Sequence, residues 1–440
     1  MHTIVYTVDE GRCATGVVRG PAKEGTLGTH GVGMRVHEAR IIGERPRAKQ
    51  AALGVRVAAG CLISLSSVAC SQHAAPSRDG SWDPRAAAAY LDRRMEWWST
   101  WKTSARDHGT YCFSCHTAVP YALARPALSV ALAEPAAPAP ERQLLDDVRR
   151  RVRLWNETAP FYTDQYVGAG KSAESRGTEA VLSALMLAWE DARTGRLSAD
   201  TATALEHMWA EQQMSGDSIG TWSWLDFDLS PWESGAADGQ YYGAALAALA
   251  VGMAPENYQS RPQIQQQLLL LRGYLAREYA AQSLHNRLTL LWASTKLPGL
   301  LDADQRQLLI ADTLRAQNPD GGWSLATLMS RSARHGGPGT RPESDGYATG
   351  LATLVLEQTS MPAAAPQLQA GLTWLARNQL GRGGSWIWGQ EGFWVARSLN
   401  KWRNPWSNVG RFMSDAATAY AVLALTQTPQ SPPQMAVARK

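Results

Sequence analysis

Apolar residues recur at helical spacing along almost the whole chain beyond residue 83, and no stretch shows the two-residue alternation of a strand. Two kinds of predicted helix alternate. The first kind is amphipathic, with its charges on one face, and is predicted at 84–104, 141–158, 199–214, 262–282, 301–317 and 364–380. The second kind is rich in Ala, Leu, Gly and Thr, is nearly free of charge after its first turn, and is predicted at 116–129, 175–188, 238–251, 284–294, 344–357 and 414–426.

An amphipathic helix covers a core with one face, whereas a helix that is apolar on all sides must be surrounded. Six of each in alternation predict an all-α fold, an (α/α)6 toroid of six inner and six outer helices within one domain, 83–428. The inner helices open with a polar capping turn. In such a toroid these turns are predicted to ring one mouth of the central cavity, and the rim comprises Glu174, Arg176, Glu179, Asp238, His285, Asp345 and Asp415.

The segment before this domain has the pattern of an export signal. Basic residues at 45–49 precede a short apolar run, 57–69, which is too short to span a bilayer and ends in small residues at Cys70. This resembles a bacterial lipoprotein signal, which implies a lipid-anchored periplasmic protein with Cys70 as its lipidated first residue; cleavage by an ordinary signal peptidase is the alternative. Translation is predicted to start at Met34. Residues 71–82 are predicted to be a tether, and 429–440 a disordered tail.

The leader also carries the excess charge. Residues 1–70 hold nine of the 43 Lys and Arg and five of the 39 Asp and Glu, which leaves 34 of each sign and assigns the formal net charge of +4 to the leader. Binding to nucleic acid needs a basic face. Nucleic acid is therefore not expected as a partner.

The residues Cys112-Phe113-Ser114-Cys115-His116 form the pattern C-x-x-C-H. In an exported protein this pattern is typical of covalent c-type haem attachment, in which Cys112 and Cys115 bond the porphyrin and His116 is an axial iron ligand. Two alternatives stay open. The cysteines are the only pair beyond Cys70 and would form a disulfide in an oxidising compartment, or both could bind zinc together with His116 and leave a fourth position open.

The motif falls at the start of the first predicted inner helix, so it is expected at the cavity mouth, with Pro120 and Pro126 shortening or kinking that helix. Two sets of residues could complete a haem site. Candidates for the sixth iron ligand are His285, His335, Met329 and Met413, and candidates for pairing with the haem propionates are Arg334, Arg397 and Arg403.

A Gln followed by G-x-W recurs between outer and inner helices, at Gln317 with 321–323 and at Gln379 with 384–386, with a looser copy at 208–222. These segments resemble the QW repeats of the squalene-hopene cyclase and prenyltransferase superfamily of terpenoid-cyclase toroids. The resemblance implies an apolar, isoprenoid-like ligand and a structural role for Trp222, Trp323 and Trp386.

The chain lacks the Asp-x-Asp-Asp acid of the cyclases and the zinc ligands of the prenyltransferases. The nearest acids are Asp226, Asp228 and Glu233, which alternate with aromatic residues as cationic cyclisation requires. We therefore expect a haem protein that binds or oxidises an apolar molecule, together with a redox partner. The alternatives are a haem-independent cyclase or isomerase that uses these three acids, and a non-catalytic binding or electron-transfer module.

Overall fold

The computed structural model describes residues 81–233, 235–330, 342–359, 361–381 and 391–427, all of which belong to the unit Ser71–Lys440. In these ranges the regular structure is helical, with two isolated β-bridges and no strand. No helix in the described part is long and apolar enough to cross a membrane. Several predictions lie outside the described residues: those on the leader with Cys70, nearly all of the tether, the tail, Arg334, His335 and Trp386.

Twelve helices build the domain and alternate between outer and inner positions. The outer helices are α1 (Pro84–Thr100), α3 (Ala139–Arg153), α5 (Ala199–Ala210), α7 (Gln265–Glu278), α9 (Ala303–Arg315) and α11 (Pro366–Arg377). The inner helices are α2 (Ala118–Ala131), α4 (Lys171–Thr194), α6 (Ala236–Met253), α8 (Leu284–Ser294), α10 (Gly346–Glu357) and α12 (Phe412–Leu425). Two shorter helices, Asp164–Val167 and Leu325–Met329, lie in the connections.

Each inner helix packs against the next one along the chain, and α12 returns to α2 to close the ring. Burial follows the predicted division. Every residue of α12 from Phe412 to Ala424 is buried, whereas α7 buries only Leu268, Leu271, Tyr274 and Leu275, which lie on one helical face. The predicted (α/α)6 toroid is confirmed.

Helix ends differ from the prediction in places. Helix α4 starts at Lys171, four residues before its predicted start, and continues to Thr194, where Gly195 ends it in the left-handed conformation. Helix α2 runs for 14 residues through Pro126, so the expected shortening was wrong. Pro120 falls in the first turn, where a missing N–H group costs little.

The predicted glutamines tie outer helices to their neighbours. Gln212 and Gln317 each use the amide Nε2 to reach the next outer helix, at the carbonyl oxygens of Gln267 (3.1 Å) and Gln367 (2.8 Å). Both acceptors lie in the first turn of that helix or beside it. Each bond therefore fixes the end of one outer helix against the start of the next.

Gln379 makes the equivalent bond between the last outer helix and the first. Its Nε2 donates to the carbonyl of Asp83 (2.9 Å), and its Oε1 accepts from the Asp83 N–H (2.6 Å). Asp83 is also the N-cap of α1. This pair of bonds closes the outer ring across 296 residues of sequence.

A tryptophan accompanies each of these glutamines. Trp222, Trp323 and Trp394 each donate an indole N–H to the backbone carbonyl four residues before the glutamine, at 2.5 to 2.8 Å. The third tryptophan of this set is Trp394, which is fully buried. The predicted Trp386 lies outside the described residues.

Close helix packing predicts a specific effect for Gly177→Ala. A Cβ at Gly177 in α4 would overlap the backbone oxygen of Ser223, so the two segments must separate, and we expect the change to lower the free energy of unfolding by about 1–3 kcal/mol. Urea unfolding measures it. Gly273 in α7 is the matched control, because nothing lies within 4 Å of its added Cβ. Gly273→Ala should stabilise by up to about 1 kcal/mol; equal effects at the two sites would contradict this account.

Candidate functional site

The C-x-x-C-H motif lies in the turn that leads into α2, at the mouth where the first turns of the inner helices meet. The ring of His116 stacks on Phe412 of α12, with 3.8 Å between ring centroids, and meets the edge of Trp98 at 5.0 Å. Trp232, in the connection before α6, is 6.0 Å away. Three separate parts of the chain thus enclose the histidine, which is 8% exposed.

A short hydrogen-bond chain fixes the orientation of His116. Its Nδ1 lies 2.8 Å from the Thr117 hydroxyl oxygen, and that hydroxyl donates to Asp415 Oδ2 at 2.7 Å. Because the single hydroxyl proton goes to the carboxylate, the oxygen can only accept from His116, so the proton of the neutral ring resides on Nδ1. Burial holds the pKa of His116 well below its usual value. The ring therefore presents an unprotonated Nε2, the form that binds a metal ion.

Asp415 is the centre of this chain. Arg94 of α1 forms a two-pronged pair with it, Nε to Oδ1 at 2.6 Å and Nη2 to Oδ2 at 2.9 Å, and the Tyr90 hydroxyl donates to Oδ1 at 2.8 Å. With Thr117, four donors serve the two oxygens. Asp415 and Arg94 are both buried, which makes the pair mutually dependent.

Both thiols are free and shielded from solvent. Cys112 is 6% exposed and its thiol contacts the Tyr162 hydroxyl, while Cys115 is half-buried. Burial raises the pKa of Cys112 to about 11 and that of Cys115 well above its usual value. At neutral pH both residues are protonated thiols.

The described residues contain no group of three or more His, Cys, Asp and Glu side chains placed to hold a metal ion. The zinc and haem hypotheses for the motif require different roles of the two cysteine thiols. Zinc requires both thiolates as direct ligands beside His116, whereas covalent haem takes only His116 as an iron ligand and bonds the thiols to carbon.

The three predicted acids belong to one loop but have different partners. Asp228 is exposed and joins two mouth loops, since it accepts from Asn400 Nδ2 at 2.9 Å and pairs with Lys401 Nζ at 3.3 Å. Asp226 accepts the Asp228 N–H at 2.9 Å. Of the three, Glu233 is the acid whose charge acts on the motif, where it helps to raise the pKa of the Cys115 thiol.

Glu233 is the acid suited to proton transfer. Its Oε2 accepts the backbone N–H of Phe227 at 2.8 Å, and burial raises its pKa to about 7. Asp226 adds to the increase, while Lys171 opposes it. A carboxyl group with this pKa exchanges protons readily at neutral pH.

Beneath the motif lies an aromatic floor that the helical pattern did not reveal. Tyr347 packs against Trp232 (5.6 Å between centroids) and Tyr420 (5.3 Å), and its hydroxyl lies 2.9 Å from His285 Nε2. Burial raises the pKa of all three tyrosines of this floor, Tyr242, Tyr347 and Tyr420. The sequence feature that could have indicated this cluster is the presence of tyrosine in each of α6, α10 and α12, which are otherwise rich in small and aliphatic residues.

His285 does not fit the predicted role of iron ligand, because its Nδ1 faces Asn286 Oδ1 at 3.1 Å and its Nε2 faces Tyr347. Its pKa is lowered to about 4 by burial. Of the other candidates, Met413 is buried beside Phe412 and Met329 is half-buried.

The remaining rim residues have structural partners. Asp345 caps α10 by accepting from the Ala348 N–H at 2.9 Å and also accepts from Leu325. Glu179 is fully buried and pairs with Arg151 Nε at 2.5 Å, with Arg176 also nearby. Glu174 holds Lys171 at 2.5 Å, and Asp238 is buried at the start of α6.

Comparison with known proteins adds little to this geometry. No protein-family model and no curated protein matches the chain. A solved structure described as a polysaccharide lyase is similar over 77% of this chain and 96% of that chain, with 14% sequence identity and a TM-score of 0.42. The chain's own twelve helices define its class, the (α/α)6 toroids.

The raised pKa of Glu233 predicts how stability depends on pH. Between about pH 4.5 and 7 the folded protein keeps a proton on Glu233 that the unfolded chain has released, so this group lowers stability progressively as pH rises through that window. Glu233→Gln keeps an acceptor for Phe227 and removes this loss. Its free energy of unfolding relative to wild type should rise by up to about 3 kcal/mol from pH 4.5 to 7.5. A difference that urea unfolding finds independent of pH would contradict the assignment.

Proposed function

We propose that the chain is an exported c-type haem protein, in which Cys112 and Cys115 hold the porphyrin covalently and His116 is an axial ligand at the toroid mouth. The orientation of His116 carries the proposal. A C-x-x-C-H histidine that becomes an iron ligand needs Nε2 unprotonated and a fixed partner on Nδ1, and the Thr117–Asp415 pair meets both needs.

The state of the thiols agrees with this chemistry. In thioether formation each S–H adds across a vinyl C=C bond of the porphyrin, so sulfur bonds one carbon, the hydrogen ends on the other, and no oxidant is consumed. Free, protonated Cys112 and Cys115 at one mouth are the reactants that this addition needs. Bound haem would supply one-electron chemistry at this site.

The proposal of an apolar ligand is based on the aromatic floor beneath the motif. Trp232, Tyr347 and Tyr420 form a buried aromatic cluster next to the motif, and these apolar surroundings suit an isoprenoid-like molecule that is bound or oxidised at the mouth. Lipid anchoring through Cys70 in the periplasm would hold the protein at a membrane that contains such molecules. A redox partner would exchange electrons with the iron.

An optical spectrum and a haem-stained denaturing gel test the attachment. The full chain, made in a host competent for cytochrome c maturation, should show a Soret band and keep its haem on the gel, and Cys112→Ala/Cys115→Ala should lose the gel stain. A colourless wild-type protein would refute the proposal. Zinc at one equivalent, or a disulfide between the two cysteines, would then identify which alternative holds.

The supporting bond to His116 can be tested separately. Thr117→Val removes the acceptor for Nδ1–H, so covalent haem should remain while the Soret position and the midpoint potential shift, because the histidine becomes a weaker donor. Thr103→Val is the control, since Thr103 is exposed and outside the site. Identical spectra for wild type and Thr117→Val would exclude the positioning role.

A second candidate is haem-independent acid catalysis, which the pKa of about 7 at Glu233 favours. The geometry leaves Glu233 as the candidate acid. Asp226 accepts the Asp228 N–H, and Asp228 accepts from Asn400. In an assay with an isoprenoid substrate, Glu233→Gln should abolish turnover and Asp226→Asn/Asp228→Asn should retain it. The reverse result would restore the two aspartates as the acid.

A further inference from the structure

A cavity lies beside the motif. It is lined by residues of the connection into α12 and of the first turn of that helix, between 397 and 413. Its volume is about 270 Å³, close to the lower end of small-molecule sites, about 300 Å³. Phe412 forms one wall and stacks on His116 with its ring. Trp402, Val409 and Met413 supply further apolar surface. A ligand here would be separated from His116 by a single phenyl ring.

The same cavity is lined by three cations, Arg397, Lys401 and Arg403. Lys401 is paired with Asp228. Arg403 lies over the Phe412 ring, with its Cζ 5.5 Å from the centroid. Neither Arg397 nor Arg403 forms an ion pair or hydrogen bond with a carboxylate in the described ranges, so two of the arginines that line the cavity have no anionic partner there.

The acids around the cavity do not neutralise it. Glu233 acts on Arg403 from a distance, and burial lowers the pKa of that arginine. The other nearby carboxylates already have partners, Asp415 with Arg94 and Glu391 with Arg93. The half-buried Arg403 therefore gains stability from an anion that enters the cavity.

We propose that this cavity binds a carboxylate carried on a planar, apolar body. Arg403 and Arg397 hold the carboxylate, for which the guanidinium fork is matched, and Phe412 and Met413 contact the apolar body. Such a carboxylate has two sources, a free organic acid or the propionates of a bound haem. The residues that line the cavity lie outside the C-x-x-C-H motif, so the proposal does not depend on the attachment at Cys112 and Cys115.

Benzoate is the probe, titrated by calorimetry into the full-length protein made without haem maturation. Benzoate should bind, and benzyl alcohol, which has the same ring without the charge, should not. Arg403→Gln should weaken benzoate binding by about tenfold or more, whereas Arg377→Gln, an exposed arginine of α11, should leave it unchanged. Equal binding of the alcohol, or full affinity in Arg403→Gln, would overturn the proposal.

The same titration with haem-loaded protein separates the two sources. Loss of benzoate binding there means that the propionates occupy the cavity, and retained binding means that the site takes a free carboxylic acid. Both results uphold a carboxylate site. If the chain acquires no haem, the titration of the unloaded protein still decides this proposal, so its failure is distinct from failure of the haem attachment.

Discussion

The buried pair between Asp415 and Arg94 is the contact on which both the ring and the site depend. Asp415 opens the last inner helix, Arg94 lies on the first outer helix, and Thr117 precedes the first inner helix. The Asp415 carboxylate therefore joins the last inner helix of the domain to its first outer and inner helices. Breaking a buried pair typically costs about 3–5 kcal/mol because one charge is left without a partner. Removal of either partner is therefore expected to destabilise the ring closure beside the C-x-x-C-H motif.

A toroid of this kind faces a particular constraint at its mouth. Helices that are surrounded on all sides still need hydrogen-bond acceptors for the N–H groups of their first turns. Polar side chains are therefore needed at positions that are largely excluded from solvent. Asp345 meets this need as a helix cap, and Glu179 and Asp415 are held in ion pairs. His116 differs because the described hydrogen-bond network serves only its Nδ1.

The arrangement also explains why acids that look alike in sequence differ in chemistry. Glu233 and Asp228 are five positions apart, yet the Glu233 carboxyl group accepts from the Phe227 N–H and has a raised pKa, whereas Asp228 pairs with Lys401 at the surface. Burial raises the pKa of a carboxyl group, and solvent or a cation opposes that rise. The path of the loop between them, and not residue type, gives Glu233 its raised pKa.

Local pattern was sufficient for the helices. Apolar periodicity and the absence of charge distinguish an inner from an outer helix within about four turns of sequence, so all twelve helices, their order and the position of the C-x-x-C-H motif followed from the chain alone. The same holds for Gln317 and Gln379, whose bonds start at helix ends that the sequence marks.

Tertiary structure decided what local pattern cannot contain. The Thr117–Asp415 bond joins residues 298 positions apart, the Trp394 indole donates to the Leu375 carbonyl 19 positions before it, and the Tyr347–His285 contact occupies Nε2 of a predicted iron ligand. Each depends on which helices become neighbours when the ring closes and on the path of the mouth loops. The sequence determined the elements and the reactive groups, whereas only closure of the ring determined which groups meet.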